Sequence, residues 1–292
     1  MRFNSQIGVA ASVAAGVAAM SIAANACAQT AVEWRVQDGG NGHWYQVVIR
    51  PHTSWGECLV LARASGGDLA SLSSAPEHAF VRGVAQSLPA AFVGGFGSVA
   101  GYGPFVGGYQ DLTAADASEP SGGWRWSDGT PWGFMAWGTG EPSNCFWVCG
   151  GCVAENVIQL FGAEYGGYWN DVADAPATEC KNPAGSWIAN SFIIEWSADC
   201  NNDGIVDYGQ ILAGDLSDAN ANNIPDCCEG SASCDPCPAD IVHDGFVNAI
   251  DLAAVLNNWG SAGGKINADA NDDGLVDAQD LAIVLSAWGA CE

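Results

Sequence analysis

Four stretches in the last third of the chain set Asp and Asn at alternating positions, a spacing that surrounds a hard cation with oxygen. A calcium loop places its ligands at positions 1, 3, 5, 9 and 12, with glycine at 6 for the turn and an apolar residue at 8. Residues 269–280 meet every one: Asp269, Asn271, Asp273, Gly274, Val276, Asp277 and Asp280. Residues 240–251 supply Asp240, Asp244, Gly245, Val247, Asn248 and Asp251. Val242 at position 3 offers no side-chain oxygen, which predicts a weaker site. Two earlier runs keep the same rhythm. Residues 199–210 offer Asp199, Asn201, Asp203, Gly204, Val206 and Asp207, with Gln210 in place of the closing acid. Residues 218–229 offer Asp218, Asn220, Asn222, Pro225, Asp226 and Glu229, with Asn223 at position 6, where its tolerance of left-handed backbone suffices. The plainer alternatives are an acidic turn favoured at a helix N-terminus and, for 199–229, a flexible acidic spacer.

The elements that position these loops repeat. DLAAVLNNWG at 251–260 returns as DLAIVLSAWG at 280–289, a period of 29. Each copy predicts a short helix after its loop, and the leucines with Trp259 and Trp288 are expected on a shared apolar face. Cys237 and Cys291 bracket the pair and are expected to form a disulfide. The duplication resembles a type I dockerin over about 236–291, which implies a small all-α calcium-loop domain (237–292) that docks onto a cohesin-like or cell-surface protein. In that family, positions 10 and 11 of each loop contact the partner and are often hydroxyl residues; here they are Ala249-Ile250 and Ala278-Gln279. Residues 199–229 resemble the short Asp/Asn calcium repeats of secreted linkers, and 230–236 read as a linker.

Upstream the composition turns to Trp and Gly. Ser54 caps a predicted helix carrying Cys58, Leu59, Leu61 and Ala62, ended by Gly66-Gly67. Strand-like Leu69–Leu72 follows, then a second helix from Ala75 with Phe80, Val81 and Val84. Later marks are Phe105–Tyr109, Trp124–Thr130 (WRWSDGT), Gly140–Asn144 (GEPSN), Glu155-Asn156, Trp169-Asn170-Asp171 and Phe192–Trp196 (FIIEW). In this order they resemble the C-type lectin-like domain over about 42–197, which implies an α+β fold of two helices, short antiparallel sheets and long loops, with domain bounds of 33–197. The resemblance implies one calcium ion held by Glu141, Glu155, Asn170 and Asp171, with Ser143 or Asn144 completing the set. The same Glu141, Asn144, Glu155, Asn170 and Asp171 would hydrogen-bond vicinal sugar hydroxyls, and the Glu-Pro form leans toward mannose-type sugars. The alternative is a calcium-free loop whose polar residues satisfy backbone groups.

The family's cysteine pattern is only partly present, since Ile194 and Val157 stand where half-cystines are usual. Cys145, Cys149, Cys152 and Cys180 allow a zinc site by count, although export favours two disulfides. Export is expected because Arg2 precedes an apolar run at 7–24, and Ala26-Cys27-Ala28 fits a small-x-small cleavage site, giving a signal peptide over 1–28. A retained anchor is the alternative, and after cleavage no membrane insertion is expected. Removing Cys27 leaves an odd count, with Cys58 the candidate free thiol. The whole chain carries 33 acids against 8 bases, a net charge of −25. That excludes a nucleic-acid surface, which needs clustered cations. Its four His are scattered, and no nucleophile–base constellation is legible. Glu141 and Glu155 could serve as a glycosidase pair, but calcium claims them, so no catalysis is expected. The expected role is an exported, calcium-dependent, glycan- or polysaccharide-binding protein with a docking module. The competing roles are a surface adhesin that binds protein and an accessory in polysaccharide degradation.

Overall fold

The computed structural model describes residues 29–291 except 52, 94–100, 145, 149–150, 164–165, 175–188, 202, 230–233, 235–236, 243, 263–267 and 272. The signal segment, Cys145, Cys149, Cys180 and most of the 230–236 linker therefore lie outside the described residues, as does the side chain of Cys152.

The N-terminal part is built on one mixed sheet. Its strands are β1 (Val32–Glu33), β2 (Trp44–Ile49), β3 (Asp68–Leu69), β4 (Tyr102–Gln110) and β5 (Trp124–Trp126). A separate hairpin of β6 (Phe146–Val148) and β7 (Gly151–Val153) interrupts it, before β8 (Val157–Phe161), β9 (Trp169–Val172) and β10 (Ser191–Trp196). The order across the sheet is β1-β2-β10-β4-β8-β9, with β3 on β10 and β5 on β4. The last strand thus closes against the first long one, antiparallel, with Ser191 opposite Ile49 and Trp196 opposite Trp44.

Side chains alternate across a strand, so β10 feeds two cores. Ile193 joins Tyr45, Leu72, Val81, Ile158 and Trp169 on one face, while Phe192 and Ile194 join Trp55, Cys58, Leu69 and Val157 on the other. Helix α1 (Trp55–Ala64) covers the second face, and helix α2 (Ala75–Gln86) covers the first. Ser54 and Glu57 form a reciprocal capping box at α1, and Ser74 accepts from the Glu77 N–H at α2. Both helices start where the cap residues predicted. Cys58 is a free, buried thiol, and burial pushes its pKa up.

The chain continues through α3 (Asp207–Ala213) and α4 (Asp226–Glu229), tied by the disulfides Cys200–Cys228 and Cys227–Cys234. A C-terminal module follows, with helices α5 (Ala249–Asn257) and α6 (Ala278–Ser286) and a strand pair β11 (Phe246–Val247) with β12 (Gly289–Ala290). Its small core is Ala239, Ile241, Val247, Val255, Ala268, Val276 and Val284. Trp259 and Trp288 are not part of it: they are 49% and 51% exposed. Each lies beyond the last turn of its helix, so the helical spacing that carries Val255 and Val284 inward no longer governs it.

Cys237 and Cys291 are joined. Closing a separation of 54 residues constrains the unfolded chain by about 4 kcal/mol in the chain-entropy treatment. The pair Cys237→Ser, Cys291→Ser should therefore lower the melting temperature of the C-terminal transition in differential scanning calorimetry without calcium. An unaltered transition would show that the link does not stabilise the module.

Candidate functional site

The long segment between β5 and β6 reaches its place through the start of β9. Trp137 and Trp169 form a parallel bridge, the Trp169 N–H donates to the Ala136 carbonyl (2.8 Å), and the Gly138 N–H donates to the Trp169 carbonyl (2.8 Å). A Cβ on Gly138 would lie 2.9 Å from the Phe161 ring, so this approach requires glycine. Trp169 is itself fixed by aromatic contacts with Trp126, Trp132, Phe134 and Trp137, all centred within 5.4–5.7 Å. Edge-to-face packing of this kind favours one arrangement of rings. The sequence reading missed this support beneath the site, although the density of Trp between 124 and 169 was its signal.

From Gly138 the chain turns, with the Glu141 N–H donating to the Gly138 carbonyl (3.0 Å), and delivers Glu141 beside Asp171. The Glu141–Pro142 peptide is cis. Asp171 is wholly buried, set by the β8–β9 pairing that places it opposite Ile158. Its two oxygens accept from the backbone N–H groups of Ser143 (2.9 Å) and Asn144 (2.7 Å). Glu155, also buried, accepts from the Ser143 hydroxyl through Oε2 (3.0 Å). Its backbone N–H donates to Asn144 Oδ1 (3.0 Å). Asn144 has φ +49°, a left-handed conformation that Asn adopts more readily than most residues.

The structure thus gathers Glu141, Ser143, Asn144, Glu155 and Asp171 at one point. Both Ser143 and Asn144 meet the acids. Asn170 is buried next to Asp171, but among the described residues no hydrogen bond links its amide to the cluster. Glu141 is the group in deficit. Burial, then the adjacent Asp171, pushes its carboxyl up to about 7, and its buried Oε2 meets no donor. A divalent cation would give that oxygen a partner and relieve the repulsion with Asp171.

A second convergence of acids was not read from the sequence. Glu77 on α2 and Glu195 on β10 come together with His43 and Tyr45. Here every carboxylate oxygen has a donor. The single Tyr45 O–H is shared between Glu77 (2.8 Å) and Glu195 (3.2 Å), Asn41 and Ser73 donate to Glu77, and the Ser71 N–H and His43 serve Glu195. Burial raises the Glu195 pKa. This network is satisfied without a ligand and pins α2 to the closing strand.

The C-terminal loops are alike. Asp269 accepts from the N–H groups of Asp273 (3.2 Å) and Gly274 (2.7 Å), and Asp280 from those of Ala270 (2.8 Å) and Asp277 (2.7 Å). In the partner loop, Asp240 accepts from Asp244 and Gly245, and Asp251 from Val242 and Asn248. Gly245 and Gly274 have φ +84° and +87°, which glycine alone adopts without strain. Asn271, Asp273 and Asp277 line the 269–280 loop, and Asn248 and Asp277 also cap their helices. Residues 218–229 close differently. Asp218 accepts from Asn222 and Asn223, Asp226 accepts from the Ala219 N–H, and Glu229 holds the Asn220 and Asn222 amides (both 2.8 Å). Asn223 has φ +63°, the left-handed turn expected at position 6.

Residues 238–287 match the dockerin type I domain family. Over 84 residues the chain is 34% identical to the type-2 ice-structuring protein of Hemitripterus americanus, a stretch covering 29% of this chain and 38% of that protein. The chain therefore spans well under half the length of that curated relative. Among solved structures, human lithostathine is 17% identical, covering 64% of this chain and 99% of its own, with a TM-score of 0.38. The cow C-type carbohydrate-recognition domain of CD23 is 18% identical, covering 55% of this chain and 91% of its own, with a TM-score of 0.36. Residues 238–287 thus match a dockerin type I domain and follow an N-terminal part of mixed α and β structure.

Proposed function

We propose that the chain is an exported, non-catalytic, calcium-dependent glycan-binding protein that is displayed or assembled through its dockerin domain. The observation that carries this reading is the convergence of Glu141, Glu155 and Asp171 with Ser143 and Asn144, in which one buried Glu141 oxygen lacks a partner. Glu141, Ser143 or Asn144, Glu155 and Asp171 would hold calcium, with Asn170 adjoining. Calcium would neutralise the facing acids and present charge-assisted contacts to two neighbouring sugar hydroxyls. An open site of this kind binds weakly, about −4 kcal/mol for millimolar affinity, and a docking module that clusters copies would supply avidity. The C-terminal module exposes Phe246, Ile250, Leu256, Trp259, Leu285 and Trp288. Exposed apolar side chains of this kind suit a protein partner such as a cohesin. The apolar N-terminal run supports export, and no helix of the described residues is long and apolar enough to cross a membrane.

One observation favours a second reading. An acid whose pKa is raised to about 7 beside another carboxylate is also what a glycosidase requires. Release of reducing sugar from polysaccharides, lost in Glu141→Gln, would establish that reading in place of the first.

Glu141→Gln should weaken calcium binding at this site and calcium-dependent retention on a glycan array together, each by at least about tenfold. Ser143→Asn should leave both unchanged or strengthen them. Retention of wild-type protein that is the same in calcium and in chelator would defeat the calcium-bridged mechanism.

In the C-terminal module, a cation that binds only the folded loop stabilises it by about 2.7 kcal/mol at a hundredfold excess over its dissociation constant. Asp269→Ala with Asp280→Ala should abolish most of the calcium-induced rise in that module's melting temperature in the full chain. A rise equal to wild type would remove the loop from the set of calcium sites.

A further inference from the structure

Beside β5 lies a cavity of about 430 Å³ that the site around Glu141 does not use. Sites for small molecules run from roughly 300 to 1,000 Å³. Tyr109 of β4, Trp126 of β5 and Trp132 form the aromatic part of its wall, and Asp116, Arg125 and Thr130 the polar part. The rings of Trp126 and Trp132 pack on each other (centroids 5.0 Å apart, planes 40° apart), and both rest on Trp169 (5.4 and 5.7 Å). The wall therefore belongs to the aromatic cluster that supports the Glu141 loop.

The polar part is held in place but not used up. Arg125 donates to both oxygens of Asp116 (2.5 and 3.1 Å) and to the Trp124 carbonyl (2.7 Å). Those bonds leave two of the five guanidinium N–H groups uncommitted. The Arg125 and Asp116 side chains are 37% and 62% exposed, so a ligand can reach them. Thr130 spends its hydroxyl proton on Asp128 (2.8 Å) and keeps its oxygen as an acceptor. Among the described residues the Tyr109 hydroxyl has no hydrogen-bond partner, and the buried Nε1–H of Trp126 meets no acceptor.

These features select a class of ligand. Arg125 and Asp116 cancel each other's charge, so the cavity gives an ion no net attraction. Aromatic faces favour a ligand with a flat apolar side. Donors and acceptors set side by side reward groups that do both, as a hydroxyl does, and the charged pair makes such bonds strong. A pyranose ring has both features, a C–H face and a girdle of hydroxyls. We infer that this cavity is a second glycan subsite, which takes one neutral pyranose unit by ring stacking and by hydrogen bonds to Arg125 and Asp116, without a cation. Trp169 connects it to the first site: its ring meets Trp126 and Trp132, and its strand carries Asp171. The subsite shares with the calcium-bridged reading only the glycan as ligand.

Binding without calcium tests it. The full chain, applied in chelator to an array of neutral glycans, should show weak retention, and titration with a retained glycan should quench tryptophan fluorescence. Arg125→Ala and Asp116→Asn should each weaken this retention by about tenfold, with circular dichroism unchanged. The extra retention that calcium brings should stay at the wild-type level in both variants, whereas Glu141→Gln should lose that increment and keep the binding seen in chelator. No neutral glycan retained in chelator, or retention unaltered in the two folded variants, would overturn the inference. Either result leaves the calcium-bridged site standing, because that site fails only through the increment that calcium adds.

Discussion

Carboxylates that face one another away from bulk water need a donor, a proton or a cation, and the layout of this chain follows from how each acid meets that need. With 33 acids and 8 bases there are too few cationic side chains to go round. Backbone N–H groups do most of the work instead. Asp171 takes two of them, and Asp269 and Asp280 take at least two each. The loops wrap around their acids because the acids are the acceptors the turning backbone requires. This explains why so many Asp residues are buried in small, loop-rich segments, and why Glu141 stands out as the acid left short.

The contrast between the two acidic centres of the N-terminal domain rests on the same accounting. Glu77 and Glu195 are saturated by Tyr45, Asn41, His43 and the Ser71–Ser73 turn, and they fasten a helix to a strand. Asp171 takes two backbone N–H groups of the loop, whereas Oε2 of Glu141 is left without a donor, and Trp137, Gly138 and Trp169 fix the loop that carries it. Rigidity there comes from rings. The aromatic cluster and the hydrogen bonds of Ser143 and Asn144 together set the positions of these carboxylates, and Oε2 of Glu141 stays available for a ligand.

Much of this was legible in the chain. The 29-residue repeat, the alternating Asp/Asn spacing and the serine caps at 54 and 74 are local signals, and each led to the element expected. The Trp-Asn-Asp and Glu-Pro marks placed Asp171 and Glu141 together because β9 and the preceding loop are joined through their backbones. What stayed hidden depends on distant pairing. His43, Glu77 and Glu195 meet only because β2 and β10 are neighbours, which no local spacing reveals. Trp259 and Trp288 looked like core by helical periodicity, but each helix ends before reaching them.

The central claim is that the cluster around Glu141 holds calcium, and crystals grown with calcium and measured at a long X-ray wavelength test it directly. The account predicts an anomalous peak about 2.3–2.6 Å from oxygens of Glu141, Glu155 and Asp171, alongside one in the 269–280 loop. A peak in that loop with none beside Glu141 would contradict it.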